Sequence, residues 1–454
     1  MAPLKDSLSG PARADPAPAP FDQSPVRPDG WLEPAVPPGT HPPVTVIGAG
    51  IVGLCTAFHL MRLGHPVTVV DRCLEGEGAS WGNAGSISPG SVLPVAYRGM
   101  LRDLPQMLLD PAGPLRITAS GLRHHLPWLL SFLRHSTPAR IRASATAMRP
   151  LVERSLAAHL ALLEAIGSQD LLRKTGQLHL YPDRRAIVRD GFGWALRREL
   201  GVDVEELDRD GLLSLEPSVG PAYEAAVFLP DQGMVLDPGD YAGRLRAALG
   251  QSGVRLAQDE VRGLAFDDAG VTGVSATGER HGGGAVVLCG GAWSAELLRR
   301  HGERIPLVNQ RGFHVQFPSA GVELERVVVL ADRKVFVTPM RHGLRAAGTV
   351  EITALDHPAD MRRADALVGH VRAAWPQVAQ DAETTRWTGE RPCLPDSLPV
   401  MGRSARHPGL WLNFGHGHLG MTLSAVAGEA MARAVSAGRD DALPAAFSPS
   451  RFAR

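Results

Sequence analysis

Gly48, Gly50 and Gly53 stand in a G-x-G-x-x-G spacing directly after the β-branched run Val44, Thr45, Val46, Ile47. Asp71 closes a second apolar run, Val67, Thr68, Val69, Val70. A strand, a glycine turn, a helix and then an acid about 20 residues on is the layout that binds a dinucleotide. Gly48 permits the tight turn, Gly50 lets backbone approach a pyrophosphate, and Gly53 lets the helix pack close to the strand. The helix start, with Ala49, Ile51 and Val52, turns N–H groups and a positive dipole end toward the phosphates. Asp71, with Arg72 beside it, would accept a hydrogen bond from the adenosine ribose.

That fingerprint serves NAD and FAD alike, and three further features favour FAD. Residues 76–90 form a glycine- and serine-rich loop beyond the acid, where a ribityl chain would pass; Ser80, Asn83, Ala84 and Gly85 are its candidate contacts. Residues 285–288 read as a buried strand running into Gly290, Gly291 and Trp293, a second backbone approach, and Val261 begins a neighbouring strand pattern. Last, Gly415, His416, Gly417, His418, Leu419, Gly420 and Thr422 form a turn that opens an alanine-rich helix. N–H groups at such a helix start would stabilise the negative N1/C2 edge of a reduced flavin. His416 and His418 make an H-x-H pair with no acid or third histidine nearby, so no metal is expected.

The elements that must position these residues alternate strand and helix early, then turn strand-rich. A first helix is expected over 54–63, a long amphipathic helix over 145–166, and single helices over 184–200 and 241–249. Residues 93–140 read as helical pieces broken by Pro94, Pro105, Pro111, Pro114, Pro127 and Pro138. Alternation over 312–347 predicts an antiparallel sheet with one covered face. Nucleotide signals at the start, middle and end predict an α/β (α+β mixed) chain. In it a Rossmann-like FAD-binding domain (44–100, 238–304, 392–440) is interleaved with an antiparallel-sheet substrate domain (101–237, 305–391).

Composition narrows the class. The chain has 454 residues with 47 basic and 47 acidic side chains, so nothing argues for nucleic acid. Four scattered cysteines suit a reducing compartment, and a cytoplasmic location is expected. The first 43 residues hold 12 of the 37 prolines and read as an extended tail without a signal-peptide core; residues 441–454 read as a C-terminal tail. The apolar run 126–133, flanked by Arg123 and Arg134, could rest on the inner face of a membrane, although a buried helix under a lid is the preferred reading.

The chain resembles the FAD-dependent amino-acid dehydrogenase/oxidase family, nearest to bacterial D-amino-acid dehydrogenase small subunits and D-hydroxyproline dehydrogenases. The likeness lies in the 44–71 fingerprint, in Asn83-Ala84-Gly85 with Ser88-Pro89-Gly90, in Arg311-Gly312-Phe313-His314, in Trp387-Thr388-Gly389-Glu390-Arg391-Pro392, in Pro395-Asp396 and Pro399, and in Gly415-His416-Gly417. The resemblance implies hydride transfer from the Cα of a D-amino or D-imino acid to flavin N5, with electrons passed to a quinone or other carrier. Alternatives are an O2-using glycine- or sarcosine-type oxidase and a non-catalytic flavin-binding subunit of a larger dehydrogenase with partner subunits. It implies that Arg391, in its G-x-R-P context, clamps the substrate carboxylate. Arg345 would line the pocket from a strand that also carries Glu351, and His416 would sit in the flavin-facing turn, with general-base work the weaker role. Phe313 lacks the phenol that relatives with Lys-Gly-Tyr carry there. Cys393 could attach flavin covalently, though a small buried thiol is the preferred reading.

Overall fold

A computed structural model describes residues 38–76, 78–96, 110, 113–355 and 357–453. The proline-rich tail up to residue 37 and most of the proline-broken stretch 97–112 lie outside them.

The run Val44–Ile47 is a buried strand at the centre of a six-stranded sheet. It pairs in parallel with Val67–Asp71 on one side and Ala285–Leu288 on the other. Arg255–Gln258 and Leu410–Phe414 extend the parallel ladder outward, and Val400–Arg403 closes it antiparallel. Continuous apolar runs suit strands covered on both faces. Helix Ile51–Arg62 lies against the sheet, and the C-terminal helix Gly420–Ala437 crosses it closely. Gly428 makes that crossing: a Cβ there would stand 2.7 Å from the Cys55 carbonyl carbon.

The second sheet has nine strands. In order they are Thr385–Cys393, Val308–Phe317, Gly343–Ile352, Val335–Met340, Val327–Leu330, Gln177–Tyr181, Ala225–Leu229 and Glu205–Leu207, with Leu115–Ile117 beside the far end of Gly343–Ile352. Helix Arg362–Ala374 covers one face, burying Leu367 and Val371 among Phe313, Val315 and Phe317. The sheet is mixed rather than purely antiparallel. Val327–Leu330 runs parallel to Gln177–Tyr181, and Leu115–Ile117 runs parallel to residues 350–352.

Proline placement differs from expectation. Helix Ala119–Arg134 continues through Pro127, which sits on an exposed face where water can satisfy the carbonyl that loses its partner. Pro138 starts a helix instead of ending one: it is the first residue of Pro138–Ala165, where its missing N–H costs nothing. The single helix expected over 184–200 is two, Arg184–Arg189 and Gly191–Glu199, split at Asp190. Asp190 and its two nearby glycines, Gly191 and Gly193, are weak helix formers. The Asp190 carboxylate there accepts a hydrogen bond from Tyr181 Oη at 3.0 Å.

Candidate active site

The glycine turn at the end of the first strand is built by sterics. Gly48 has φ +108°, and a Cβ on it would lie 2.5 Å from the Cys289 carbonyl oxygen. A Cβ on Gly53 would lie 1.9 Å from the Gly48 carbonyl oxygen, so this residue serves helix packing and does not face the cavity. Gly50 differs from both. The nearest atom to its absent Cβ is Ser80 Oγ at 3.5 Å, which leaves its face clear for a ligand. Ser80 Oγ accepts the Ile51 N–H at 3.0 Å, and Asp71 accepts the N–H groups of Ala49 at 2.7 Å and Cys73 at 2.9 Å. Each Asp71 oxygen keeps a lone pair free for a sugar hydroxyl. Arg72 stacks on Trp293 with 3.9 Å to the ring centroid.

These groups open into one cavity of about 1650 Å³. Drug-sized pockets run to roughly 1,000 Å³, so the volume suits an extended dinucleotide and a second ligand together. Ala49, Val52, Val261, Gly290, Gly291, Asn83, Ala84 and the turn 415–420 with Thr422 all line it. Gly85 does not. With φ +72° and a Cβ position 2.5 Å from the Val235 carbonyl oxygen, it shapes the loop, and Asn83 Oδ1 accepts its N–H at 2.8 Å. Thr422 Oγ1 ties the C-terminal helix start to this loop by donating to the Ser86 carbonyl at 3.1 Å. The clear face at Gly50, the seated acid and two helix starts on one cavity fit a flavin dinucleotide.

Arg391 stands on the edge strand of the large sheet, opposite Gln310. Its guanidinium lies flat over Gly312, where a Cβ would be 2.3 Å from Nη2. Among the described residues no carboxylate pairs with it. Desolvation pushes its pKa below the usual arginine range. An arginine desolvated without a counter-ion is a standing demand for an anion. Beside it, Trp387 stacks on His314 at 4.9 Å, and a Cβ at Gly82 or Gly389 would strike the Trp387 ring.

Arg345 departs from its expected place on the cavity wall. Its Nη1 donates to the carbonyls of Asn83 at 2.7 Å and Trp81 at 3.3 Å, and its Nε donates to Gln316 Oε1 at 2.9 Å. The side chain is a brace for the 81–83 loop. Glu351 likewise does not line the cavity and pairs with Arg311, which also holds Glu390 at 2.8 Å. Phe313 is buried among the large-sheet core residues. His416 lines the cavity with Nε2 unpartnered, and burial holds its pKa down at about 4. His418 is held down at about 4 by burial and by Arg391. Both are neutral at pH 7 and poor bases. Burial pushes the Cys393 thiol up to about 12, leaving it a weak nucleophile. Among the described residues no cluster of acids, histidines or cysteines could hold a metal.

Several contributors escape a reading of spacing. Gly312 and Gly389 matter only because their strands are neighbours. Thr349, in the cavity wall, holds φ +49° at a bulge opposite Gly312 and Phe313, a conformation that costs a β-branched residue. Helix Ala119–Arg134 roofs the Arg391 end with Leu126, Trp128 and Leu129. Leu122, Leu126 and Leu130 are each about half exposed, and no helix among the described residues is long and apolar enough to cross a membrane.

The fold and the cradle define a dinucleotide-binding protein whose cavity continues to an unpaired arginine. Comparison with known proteins makes the class specific: the chain belongs to the FAD-dependent oxidoreductase (DAO) family, whose model matches residues 43–434. A protein of Bradyrhizobium diazoefficiens named D-amino-acid oxidase is 36% identical over 424 residues, covering 92% of this chain and 100% of that protein. D-amino acid dehydrogenase 1 of Mesorhizobium japonicum is 30% identical over 406 residues, covering 87% and 95% respectively. Among solved structures, glycine oxidase from Geobacillus kaustophilus superposes with a TM-score of 0.71 at 21% identity, covering 91% of this chain and 99% of that one. L-proline dehydrogenase from P. horikoshii superposes with a TM-score of 0.69 at 18% identity, covering 92% and 98%. The chain is therefore an FAD-dependent amino-acid oxidoreductase.

Proposed function

We propose that the protein oxidises a D-amino or D-imino acid to the imino acid, which hydrolyses to the oxo acid. The observation that carries this reading is the desolvated, unpaired Arg391 guanidinium over Gly312, on the cavity that also holds the dinucleotide cradle. FAD, when bound, supplies the hydride acceptor. Arg391 binds the substrate carboxylate through two parallel N–H bonds and so fixes which face of Cα is presented. Leu126, Trp128 and Leu129 cover that end with apolar side chains. His416 and His418, neutral and weakly basic, leave the amine to bind already deprotonated. The same reading assigns residues 44–100, 238–304 and 392–440 to the cofactor half, and 101–237 with 305–391 to the substrate half.

Dehydrogenase-named relatives support a quinone or carrier as electron acceptor. The oxidase-named relative, which aligns along its whole length, supports O2 as the second reading. Anaerobic mixing with D-alanine, D-proline, cis-4-hydroxy-D-proline, glycine and sarcosine should bleach the flavin with a D-substrate. No bleaching with any of them would end the reading. Peroxide formed at the rate of aerobic turnover would select the oxidase.

A further inference from the structure

The cavity has a second lobe that a small amino acid held by Arg391 does not reach. Across the large sheet, the strand Gln177–Tyr181 lies five places from the strand carrying Arg391. At roughly 4.8 Å per strand, that is about 24 Å along the sheet. The lobe is walled there by Leu93, Phe192, Trp194, Val329 and Phe336, with His179 among them. Its rim carries the exposed Arg189, Asp190 and Lys334.

The polar atoms of two of the wall's aromatic rings are committed elsewhere. Trp194 Nε1 donates to Tyr181 Oη at 3.0 Å, and Tyr181 Oη donates to Asp190 at 3.0 Å. His179 is different. The Ser86 and Ser88 hydroxyls share a hydrogen bond at 2.6 Å, so one donates to the other and the second donates to Gln177 Oε1, which lies 2.9 Å from Ser86 Oγ and 3.1 Å from Ser88 Oγ. With its oxygen accepting there, the Gln177 amide N–H donates to His179 Nε2 at 2.9 Å. The ring proton then sits on Nδ1, which has no partner among the described residues. Burial, with Arg197 and Lys334 nearby, pushes its pKa well below the ordinary imidazole value. The lobe thus offers flat apolar walls and one oriented N–H donor. Through Ser86 its hydrogen-bond chain meets the loop that Thr422 ties to the C-terminal helix.

We propose that this lobe binds the ring of a quinone, one carbonyl oxygen accepting the His179 Nδ1–H. The inference rests on the amino-acid dehydrogenase reading above. Oxidation of the amino acid to the imino acid releases two electrons and two protons. A quinone takes up two of each and leaves as the quinol, so the exchange balances.

The test measures binding, not turnover. Oxidised holoenzyme without amino acid is titrated with menadione by equilibrium dialysis, with quenching of tryptophan fluorescence as a second readout. The expected result is one site, weakened about tenfold in His179→Leu by loss of one hydrogen bond. Leu93→Trp, which narrows the lobe from its half-buried wall, should abolish the site even if His179→Leu fails to fold. Benzoate, a carboxylate suited to Arg391, should not compete. Equal binding by wild type and Leu93→Trp, competition by benzoate, or no binding would each overturn the proposal. A melting temperature close to wild type in Leu93→Trp shows that the variant is folded. Failure of bleaching in wild type itself would instead overturn the substrate reading.

Discussion

Arg391 and Arg345 are two arginines with opposite employment. Arg391 faces the cavity without a counter-ion among the described residues, whereas Arg345 gives its N–H groups to loop carbonyls and Gln316. Replacing Arg391 by Met should cut kcat/KM for the amino acid by about 100-fold, the loss of a bidentate charge-assisted pair, while the protein folds and keeps its flavin. Arg345→Met should instead loosen flavin retention, because the 81–83 loop loses its brace. Steady-state kinetics and the absorbance ratio at 280 and 450 nm separate the two. Gly312→Ala isolates geometry from charge. The added methyl would stand 2.3 Å from Arg391 Nη2, and the guanidinium is the flexible end of its side chain. The chain should fold normally with the arginine displaced, and kcat/KM should fall by about tenfold with little change in melting temperature. Unchanged kinetics in Gly312→Ala would mean that the guanidinium position is not what orients substrate.

Elements were legible in proportion to how local their causes are. The first strand, glycine turn and helix follow from sterics within a short span, and the space around Gly48 and Gly53 admits no Cβ. The Pro127 helix and the break at Asp190 are not legible in the sequence, because each depends on which side of the element meets solvent or a distant hydroxyl. The seat of Arg391 was half legible. Its motif marked the arginine, but Gly312 and Gly389 acquire meaning only from strand pairing, and the positive φ of Thr349 leaves no trace in composition. The helix pair beneath the parallel sheet gives this scale its prediction. Gly428 permits helix Gly420–Ala437 to cross Ile51–Arg62, with Cys55 and Thr56 backbone atoms 2.7 and 2.8 Å from its absent Cβ. Backbone cannot step aside as a side-chain tip does. Gly428→Val should therefore lower stability by about 2–3 kcal/mol through overpacking. It should also shift the helix start at residues 420–422 enough to weaken flavin binding. Denaturant midpoints on apoprotein and holoprotein would show both effects, and a midpoint unchanged in the apoprotein would refute the packing argument.

At the scale of the whole molecule, buried imidazoles tie packed elements to one another, and this makes stability depend on pH. His159, fully buried in helix Pro138–Ala165, accepts from Tyr241 Oη at its Nδ1 and donates from Nε2 to the Met421 carbonyl, both at 2.8 Å. It thereby joins the long helix to Pro238–Gln251 and to the flavin-facing helix start. Burial lowers its pKa from 6.5 to about 4. His59 and His314 are pushed lower, to about 3, mainly by desolvation. In each case the unfolded chain binds a proton more readily than the folded one. The stability these groups contribute is complete above pH 6.5 and is lost as pH falls toward the folded value, by about 1.4 kcal/mol per pH unit for each histidine. The melting temperature should hold from pH 8 to 7 and then drop steeply between pH 6.5 and 4. His159→Gln tests one share of this. Its amide can accept from Tyr241 and donate to Met421, yet it does not titrate. The variant should be close to wild type at pH 7.5 and should lose less stability on acidification, its curve diverging from wild type only below pH 6.5. Parallel curves down to pH 4 would show that folded His159 takes up a proton as readily as it does in the unfolded chain, and would remove it from the acid response.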